Sequence, residues 1–234
     1  MLSPKEIDVV ILCGGKGKRL RPLTLYRPKP MLKIKGKPFL DILISYIASF
    51  GFRRFILCVG YKAKVIEDYY NKKNTSLEIL FSQESKALGT GGAIRAAYKF
   101  IQSPFFLITN GDSLCKANLR RFVDFHFKKR SFLSIVITKG KESFQYGLIR
   151  LDKSQRIISF QEKTDSSGDY FVNAGIYIFK KSSLVCFPKN SFFSLEEDYF
   201  PKVVKKKEVY GYKTNKPLVD IGTIRRYQLA KSLV

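Results

Sequence analysis

Apolar residues fall along the chain in blocks, and the spacing within each block separates strands from helices. Val9 to Cys13 follow Asp8 as five residues suited to a short buried strand. Gly36-Lys37-Pro38 marks a turn, with Pro38 placed for a first helical turn. Phe39, Leu40, Leu43, Tyr46, Ile47 and Phe50 then recur at helical spacing until Gly51. The pattern continues with a strand over 54–59, a helix over 63–70, a strand over 77–81 and a helix from Ala93 to Ile101. A strand over 105–109, an amphipathic helix over 119–130 and a strand over 133–138 follow. Residues 146–151 and 157–162 read as a hairpin, which breaks the alternation. Beyond it come a strand at 176–179 and a short helix at 182–186. A helix follows with Ser194 as N-cap, Glu197 at the capping-box position and Pro201 dividing it. Strands over 209–212 and 218–221 and a helix over 224–233 complete the pattern. Alternating strands and helices predict an α/β fold, a mostly parallel mixed sheet flanked by helices with a small antiparallel excursion.

Five stretches carry candidate chemistry. The first strand empties into a loop with Gly14, Gly15 and Gly17, and Lys16 to Lys37 contain nine Lys or Arg and no acid. Backbone N–H groups and cations of this kind can close on phosphate oxygens. The alternative is a solvated basic loop. It is not a Walker loop, and Leu20 stands where G-x-G-x-x-G needs its third glycine. A second glycine-rich loop, SQESKALGTGGA at 82–93, sits at the carboxyl end of a strand, where open α/β sheets bind ligands. A flexible connection is the alternative. Asp112 in Asn110-Gly111-Asp112 and Asp220 before Ile221-Gly222 each stand at a strand end beside a glycine. Such carboxylates suit Mg²⁺, and they also close turns. Glu162-Lys163 ends the hairpin and could equally be a surface ion pair.

Composition narrows the class. A chain of 234 residues that is 45% hydrophobic can bury one core, so a single domain over 1–234 is expected. No apolar run approaches the roughly 20 residues of a membrane span. MLSPKEIDVVIL lacks a signal-peptide cleavage region, so a cytoplasmic address is expected. Cys13, Cys58, Cys115 and Cys186 form no C-x-x-C and read as reduced thiols. His126, the sole histidine, excludes His-rich zinc sites and Ser-His triads and reads as a helix-surface residue. A net charge of +24 attracts polyanions, whether nucleic acid, acidic lipid or nucleotide. A basic nucleic-acid-binding module would interleave cations with exposed aromatics. Most aromatics here fall at core-like positions, so no obligatory nucleic acid is expected.

The order of the motifs adds more. G-G-x-G-x-R-L-x-P-L-T from Gly14, then R-P-K-P-M-L from Arg27, resembles the opening motif of the sugar-1-phosphate nucleotidyltransferases. L-G-T-G-G-A, N-G-D, E-K, N-x-G-x-Y and D-I-G-T follow in the family's order, and the matches span 8–227. The resemblance implies a Rossmann-like, glycosyltransferase-A-like fold, with a nucleotide-binding part over about 1–115 and a sugar-phosphate part over about 116–234. It implies that a nucleoside triphosphate and a sugar 1-phosphate give a nucleotide sugar and pyrophosphate. Arg19 would hold the departing pyrophosphate and Lys29 the α-phosphate oxygens. Leu12, Gly14, Gly15, Gly17 and Lys18 would line the nucleotide. Gln83 would meet the base edge, with Gly89 and Thr90 letting the ring approach the backbone. Asp112 and Asp220 would hold Mg²⁺. Asp112, Gly147, Glu162, Lys163 and Asn173 would form the sugar-phosphate side, with Lys163 on the incoming phosphate. The sequence departs from the family at Lys18 (usually Thr), Ser113 (often Thr) and Thr164 (usually Pro). Arg19, Lys29, Asp112, Lys163 and Asp220 together argue against a catalytically dead regulatory subunit. LGTGGAIR, FSLEED and VDIGT are similar to the bacterial heptose 1-phosphate guanylyltransferases of surface-polysaccharide synthesis. Mannose-1-phosphate guanylyltransferases and uridylyl- or thymidylyltransferases share most of these residues. A monomer or homodimer without a trailing β-helix module is expected.

Overall fold

A computed structural model describes residues 3–139, 147–161 and 170–233. In chain order the elements begin with β1 (Asp8–Leu12), β2 (Lys33–Ile34), β3 (Lys37–Pro38), α1 (Phe39–Ala48), β4 (Arg54–Val59) and α2 (Ala63–Asn71). There follow β5 (Glu78–Gln83), α3 (Gly89–Ala97), β6 (Phe105–Asn110), β7 (Ser113–Cys115), α4 (Leu119–Lys128) and β8 (Leu133–Lys139). The remainder is β9 (Leu148–Leu151), β10 (Ile157–Gln161), β11 (Phe171–Lys180), α5 (Phe200–Val203), β12 (Val209–Thr214), β13 (Leu218–Asp220) and α6 (Ile224–Leu233).

The main sheet is mixed and runs β10-β9-β11-β6-β1-β4-β5, with β8 pairing β11 and β12 beside this path. Strands β5, β4, β1 and β6 are parallel neighbours, and β12 is parallel to β8. The predicted hairpin is present as β9 and β10. The antiparallel part extends further than that hairpin, because the ten-residue β11 runs against β6, β8 and β9.

The parallel strands β1, β4 and β6 are buried on both faces, which is why each reads as an unbroken apolar run. Val9 and Ile11 pack into the core with residues of α1, α2, α4 and α6, while Val10 packs on the opposite face with α3. Phe55, Leu57 and Val59 of β4 repeat the first pattern, Ile56 and Cys58 the second. The first core takes Phe39 and Leu43 from α1, Ile66 from α2 and Phe122 from α4. The second takes Ala93, Ile94 and Ala97 from α3, packed against Leu195, Tyr199 and Phe200.

Two local expectations change. His126 is buried, not on the helix surface: it continues the stripe of Leu119, Phe122 and Val123 at i+7, i+4 and i+3, and its Nδ1 lies 2.9 Å from Ser134 Oγ on β8. Burial pulls its pKa from the ordinary 6.5 to about 4. The predicted helix after Ser194 opens as a π-helical turn, Leu195–Tyr199, in which the Phe200 N–H reaches back to the Leu195 carbonyl. Pro201, in the first turn of α5, has no N–H to give to Glu197, so the regular α-helical ladder begins only beyond the π turn. Ser194 caps the turn as expected, accepting from the N–H groups of Glu196 and Glu197. The reciprocal bond comes from Asp198 Oδ2, which accepts the Ser194 N–H at 2.7 Å, rather than from Glu197.

All four cysteines are free. Cys13, Cys58 and Cys115 are buried and Cys186 is exposed. Burial pushes the Cys115 thiol up to about 11. Among the described residues, no helix is long and apolar enough to cross a membrane.

Candidate functional site

The carboxyl ends of β1, β4, β5 and β6 converge on a cleft of about 590 Å³. Leu12, Cys13, Gly14 and Gly15 form one wall, continuing β1. Cys58, Gly60 and Tyr61 come from the end of β4, and Ser85 to Thr90 from the loop into α3. Asn110 and Asp112 lie at the end of β6, and Lys29 and Pro30 reach in from the basic loop. Strand ends leave loop backbone free to face a ligand, which is why such sheets bind there.

Backbone contacts hold the first loop in place. Cys13 N–H donates to Cys58 O at 2.8 Å, Tyr61 N–H to Gly14 O at 3.1 Å and Gly111 N–H to Leu12 O at 2.9 Å. Gly17 takes a left-handed φ of +59° and packs on Thr24 and Lys29, with Thr24 Oγ1 donating to its carbonyl at 2.9 Å. Lys29 Nζ pairs with Asp112 Oδ2 across the cleft. The basic loop and the mid-chain acid, 83 residues apart, therefore meet in the folded chain.

Asp220 joins them through backbone pairing. β13 runs antiparallel to β7 with Asp220 opposite Ser113, and the Ile221 N–H donates to the Asp112 carbonyl at 3.0 Å. Asp220 Oδ1 accepts from the Gly222 N–H at 2.8 Å and from Arg226 Nη1 at 3.0 Å. Arg19 is exposed, and its Nη2 lies 3.7 Å from where a Cβ on Gly222 would stand, so its guanidinium is on the Asp220 side. Lys18 is exposed in the same short turn.

Among the described residues, no group of three or more His, Cys, Asp and Glu side chains forms a metal cluster. Two carboxylates are nevertheless enough for Mg²⁺, which binds one or two of them and fills its shell with water and substrate phosphates. The hard oxygens of Asp112 and Asp220 fit that ion.

Leu12, Gly14, Gly15, Lys29, Gly89, Thr90 and Asp112 all line the cleft. Gln83 is the exposed last residue of β5, and its neighbour Glu84 stands on the cleft wall instead. A Cβ on Gly14 would fall 1.9 Å from Glu84 Oε1, and one on Gly60 2.8 Å from it. Those two glycines make the space that the carboxylate fills. Its Oε2 accepts the Leu88 N–H at 3.0 Å, and desolvation raises its pKa against the opposing pull of that bond. Glu84 directly follows β5, one residue past Gln83, and no apolar pattern in the sequence marks it as the one that faces the cleft.

Gly89 is fixed by its own backbone as well as by any ligand. Its φ is +72°, and a Cβ there would lie 2.4 Å from the Phe193 carbonyl oxygen. Asn173 is buried on β11, where its N–H donates to the Gly147 carbonyl at 3.0 Å and its Nδ2 to Tyr177 OH at 2.7 Å. Glu162 and Lys163 lie outside the described residues.

Comparison with known proteins agrees with this fold. The nucleotidyl transferase family pattern matches residues 8–233. The D-glycero-alpha-D-manno-heptose 1-phosphate guanylyltransferase of Aneurinibacillus thermoaerophilus is 34% identical over 96% of this chain and 97% of its own. The mannose-1-phosphate guanylyltransferase of Mycobacterium tuberculosis is 34% identical over 95% of this chain, which spans 63% of that protein. Among solved structures, HddC from Yersinia pseudotuberculosis complexed with GMP-PN superposes with a TM-score of 0.85 at 35% identity, over 97% of this chain and 99% of that one. A putative glucose-1-phosphate thymidylyltransferase from Bacillus anthracis shares the fold, with a TM-score of 0.86 at 17% identity over 97% of this chain and 94% of that one. The family match takes in every strand of the sheet and each described wall of the cleft: the chain belongs to the nucleotidyl transferase family.

Proposed function

We propose that this chain joins GTP to a heptose 1-phosphate of manno configuration, giving a GDP-sugar and pyrophosphate. The reaction class is that of its relatives, sugar-1-phosphate nucleotidyl transfer. A phosphate oxygen of the sugar bonds to the α-phosphorus of the triphosphate, and the bond from that phosphorus to the bridging oxygen of the β-phosphate breaks. The nucleophile is already an anion, so no general base is needed, and the only histidine is free to be buried far along α4. What the site must supply is position and positive charge.

Lys29 is the cation for the α-phosphate oxygens, since it reaches into the cleft beside the β1 loop. Arg19 takes the departing pyrophosphate from the Asp220 side. Lys163, outside the described residues, takes the sugar phosphate. Asp112 and Asp220 would hold Mg²⁺, which would neutralise charge shared between the two substrates.

Glu84 is the observation that carries the choice of base. An ionised carboxylate only accepts hydrogen bonds. Guanine offers two adjacent donors, N1–H and the 2-amino group. Uracil and thymine offer one donor between two acceptors, and adenine and cytosine place an acceptor next to their amino group. Only guanine meets a carboxylate with two donors. The solved relative complexed with GMP-PN supports a guanine nucleotide. The heptose rests on relatives from Aneurinibacillus thermoaerophilus and Campylobacter jejuni, which this chain matches over 97% of their length.

The test crosses the four common nucleoside triphosphates with mannose 1-phosphate, glucose 1-phosphate and D-glycero-D-manno-heptose 1-phosphate, reading released pyrophosphate with Mg²⁺ and with EDTA. GTP with the heptose should give the highest kcat/KM, and EDTA should abolish turnover. Preference for UTP or TTP would overturn the base, and preference for mannose 1-phosphate would overturn the sugar.

A further inference from the structure

One carboxylate outside the residues used above gathers three hydroxyls. Glu196 stands in the π-helical turn. Thr90 Oγ1 donates to its Oε2 at 2.7 Å and Ser194 Oγ to the same atom at 3.0 Å, while Tyr177 OH donates to Oε1 at 3.2 Å. Each hydroxyl is also an acceptor. Thr90 takes the Leu195 N–H at 2.8 Å, Ser194 takes the N–H groups of Glu196 and Glu197 at 3.2 Å, and Tyr177 takes Asn173 Nδ2 at 2.7 Å. A hydroxyl has a single proton to give. All three point theirs at Glu196, and only a group with acceptors and no N–H of its own satisfies them together.

One end of this network lines the cleft, and the other lies behind Asn110, which also lines it. Thr90 is on the wall that follows β5. At the other end, Asn173 Oδ1 accepts the Gly175 N–H at 2.9 Å. Gly175 has a φ of +71° at a register shift in β11, and a Cβ there would stand 2.8 Å from Asn110 Nδ2 on the cleft floor. We propose that Glu196 is a positioning residue that sets the Gly89-Thr90 loop relative to the Asn110 floor, so that the triphosphate and its acceptor meet at reacting distance. This rests on the cleft being the substrate site, and not on which base it takes.

Glu196→Gln keeps the shape and sets an NH₂ group against one of the three hydroxyls. Turnover at saturating substrates should fall about a hundredfold, the cost of a misplacement on the order of 1 Å, while KM for the nucleotide moves less than about threefold. A merely structural role would lower Tm and leave the turnover of the folded enzyme unchanged, and that result overturns the proposal. Tyr177→Phe removes one donor from the same network. Added to Glu196→Gln it should cost nothing more, because both act through one contact set, and additive losses would also overturn the proposal. Should Glu196→Gln fail to fold, Tyr177→Phe decides alone: a loss of turnover at unchanged KM supports the assignment, and wild-type turnover removes it. The assays run with whichever nucleoside triphosphate the chain accepts, so an error about guanine leaves this outcome readable.

Discussion

At the scale of single residues, the cleft is a balance of charges. Lys29 and Asp112 neutralise each other, and each is also the residue a substrate would recruit. Lys29→Ala should lower kcat by roughly 10²–10³, the cost of losing one aimed donor, with little change in the far-UV circular dichroism spectrum. Near-normal turnover would remove Lys29 from the chemistry. Glu84→Gln should reduce kcat/KM for GTP by about thirtyfold, equivalent to ~2 kcal/mol for one lost charge-assisted contact, and narrow the margin over UTP. pH separates the two. On the proposed reading the ionised form of Glu84 would bind guanine, and burial raises its pKa above the usual carboxylate value. KM for GTP should therefore rise, as pH falls, at a higher pH than an ordinary glutamate would dictate. That acid limb should vanish in Glu84→Gln, and its persistence would exclude Glu84 from base recognition. Asp112 and Asp220 were legible in the sequence because each stands beside a glycine at a strand end, and Lys29 because R-P-K-P-M-L in the basic loop resembles the family's opening motif. Glu84 was not. Where a strand stops decides which of two neighbours faces the cleft, and β5 runs two residues further than its apolar pattern.

At the scale of elements, packing explains residues that sequence reading gave to function or to solvent. The glycines that open α3 are held by their neighbours. A Cβ on Gly91 would stand 2.0 Å from the Phe193 ring, and one on Gly92 2.3 Å from the Ser191 carbonyl oxygen. Gly91→Ala should destabilise the fold by about 1–3 kcal/mol through overpacking, measured as a fall in Tm. An unchanged Tm would mean that the segment carrying Phe193 yields freely. On α4, His126 remains neutral in the folded chain down to about pH 4, whereas the unfolded chain protonates it near 6.5. The unfolded state then binds more protons in that window, so stability falls as pH drops from 6.5 towards 4, by at most roughly 3 kcal/mol. His126→Asn should flatten that part of the stability curve in urea titrations, and parallel curves would show that His126 does not titrate there. The i, i+3, i+4, i+7 stripe from Leu119 to His126 was in the sequence all along. The single polar residue in it was assigned to water on type rather than on position.

At the scale of the whole molecule, the α/β class and its parallel half were legible because buried parallel strands are unbroken apolar runs. The role of β11 was not. Its partners β6, β8 and β9 lie distant in sequence, and no local pattern announces a strand that binds three others. The excess of 43 basic over 19 acidic residues gives the surface a strong positive field. Added salt should accordingly raise KM for the nucleoside triphosphate more than it lowers kcat, and an insensitive KM would show that the field does not guide substrate in.

The position of β11 carries one more consequence. The N-terminal half of the chain ends with β6 and β7, and both take partners from the C-terminal half, β11 and β13. A chain cut between residues 116 and 118 would yield two pieces, each with bare strand edges and an open core. Neither should fold alone. Mixed together they should dock along those edges and recover a working enzyme, as a split reporter does.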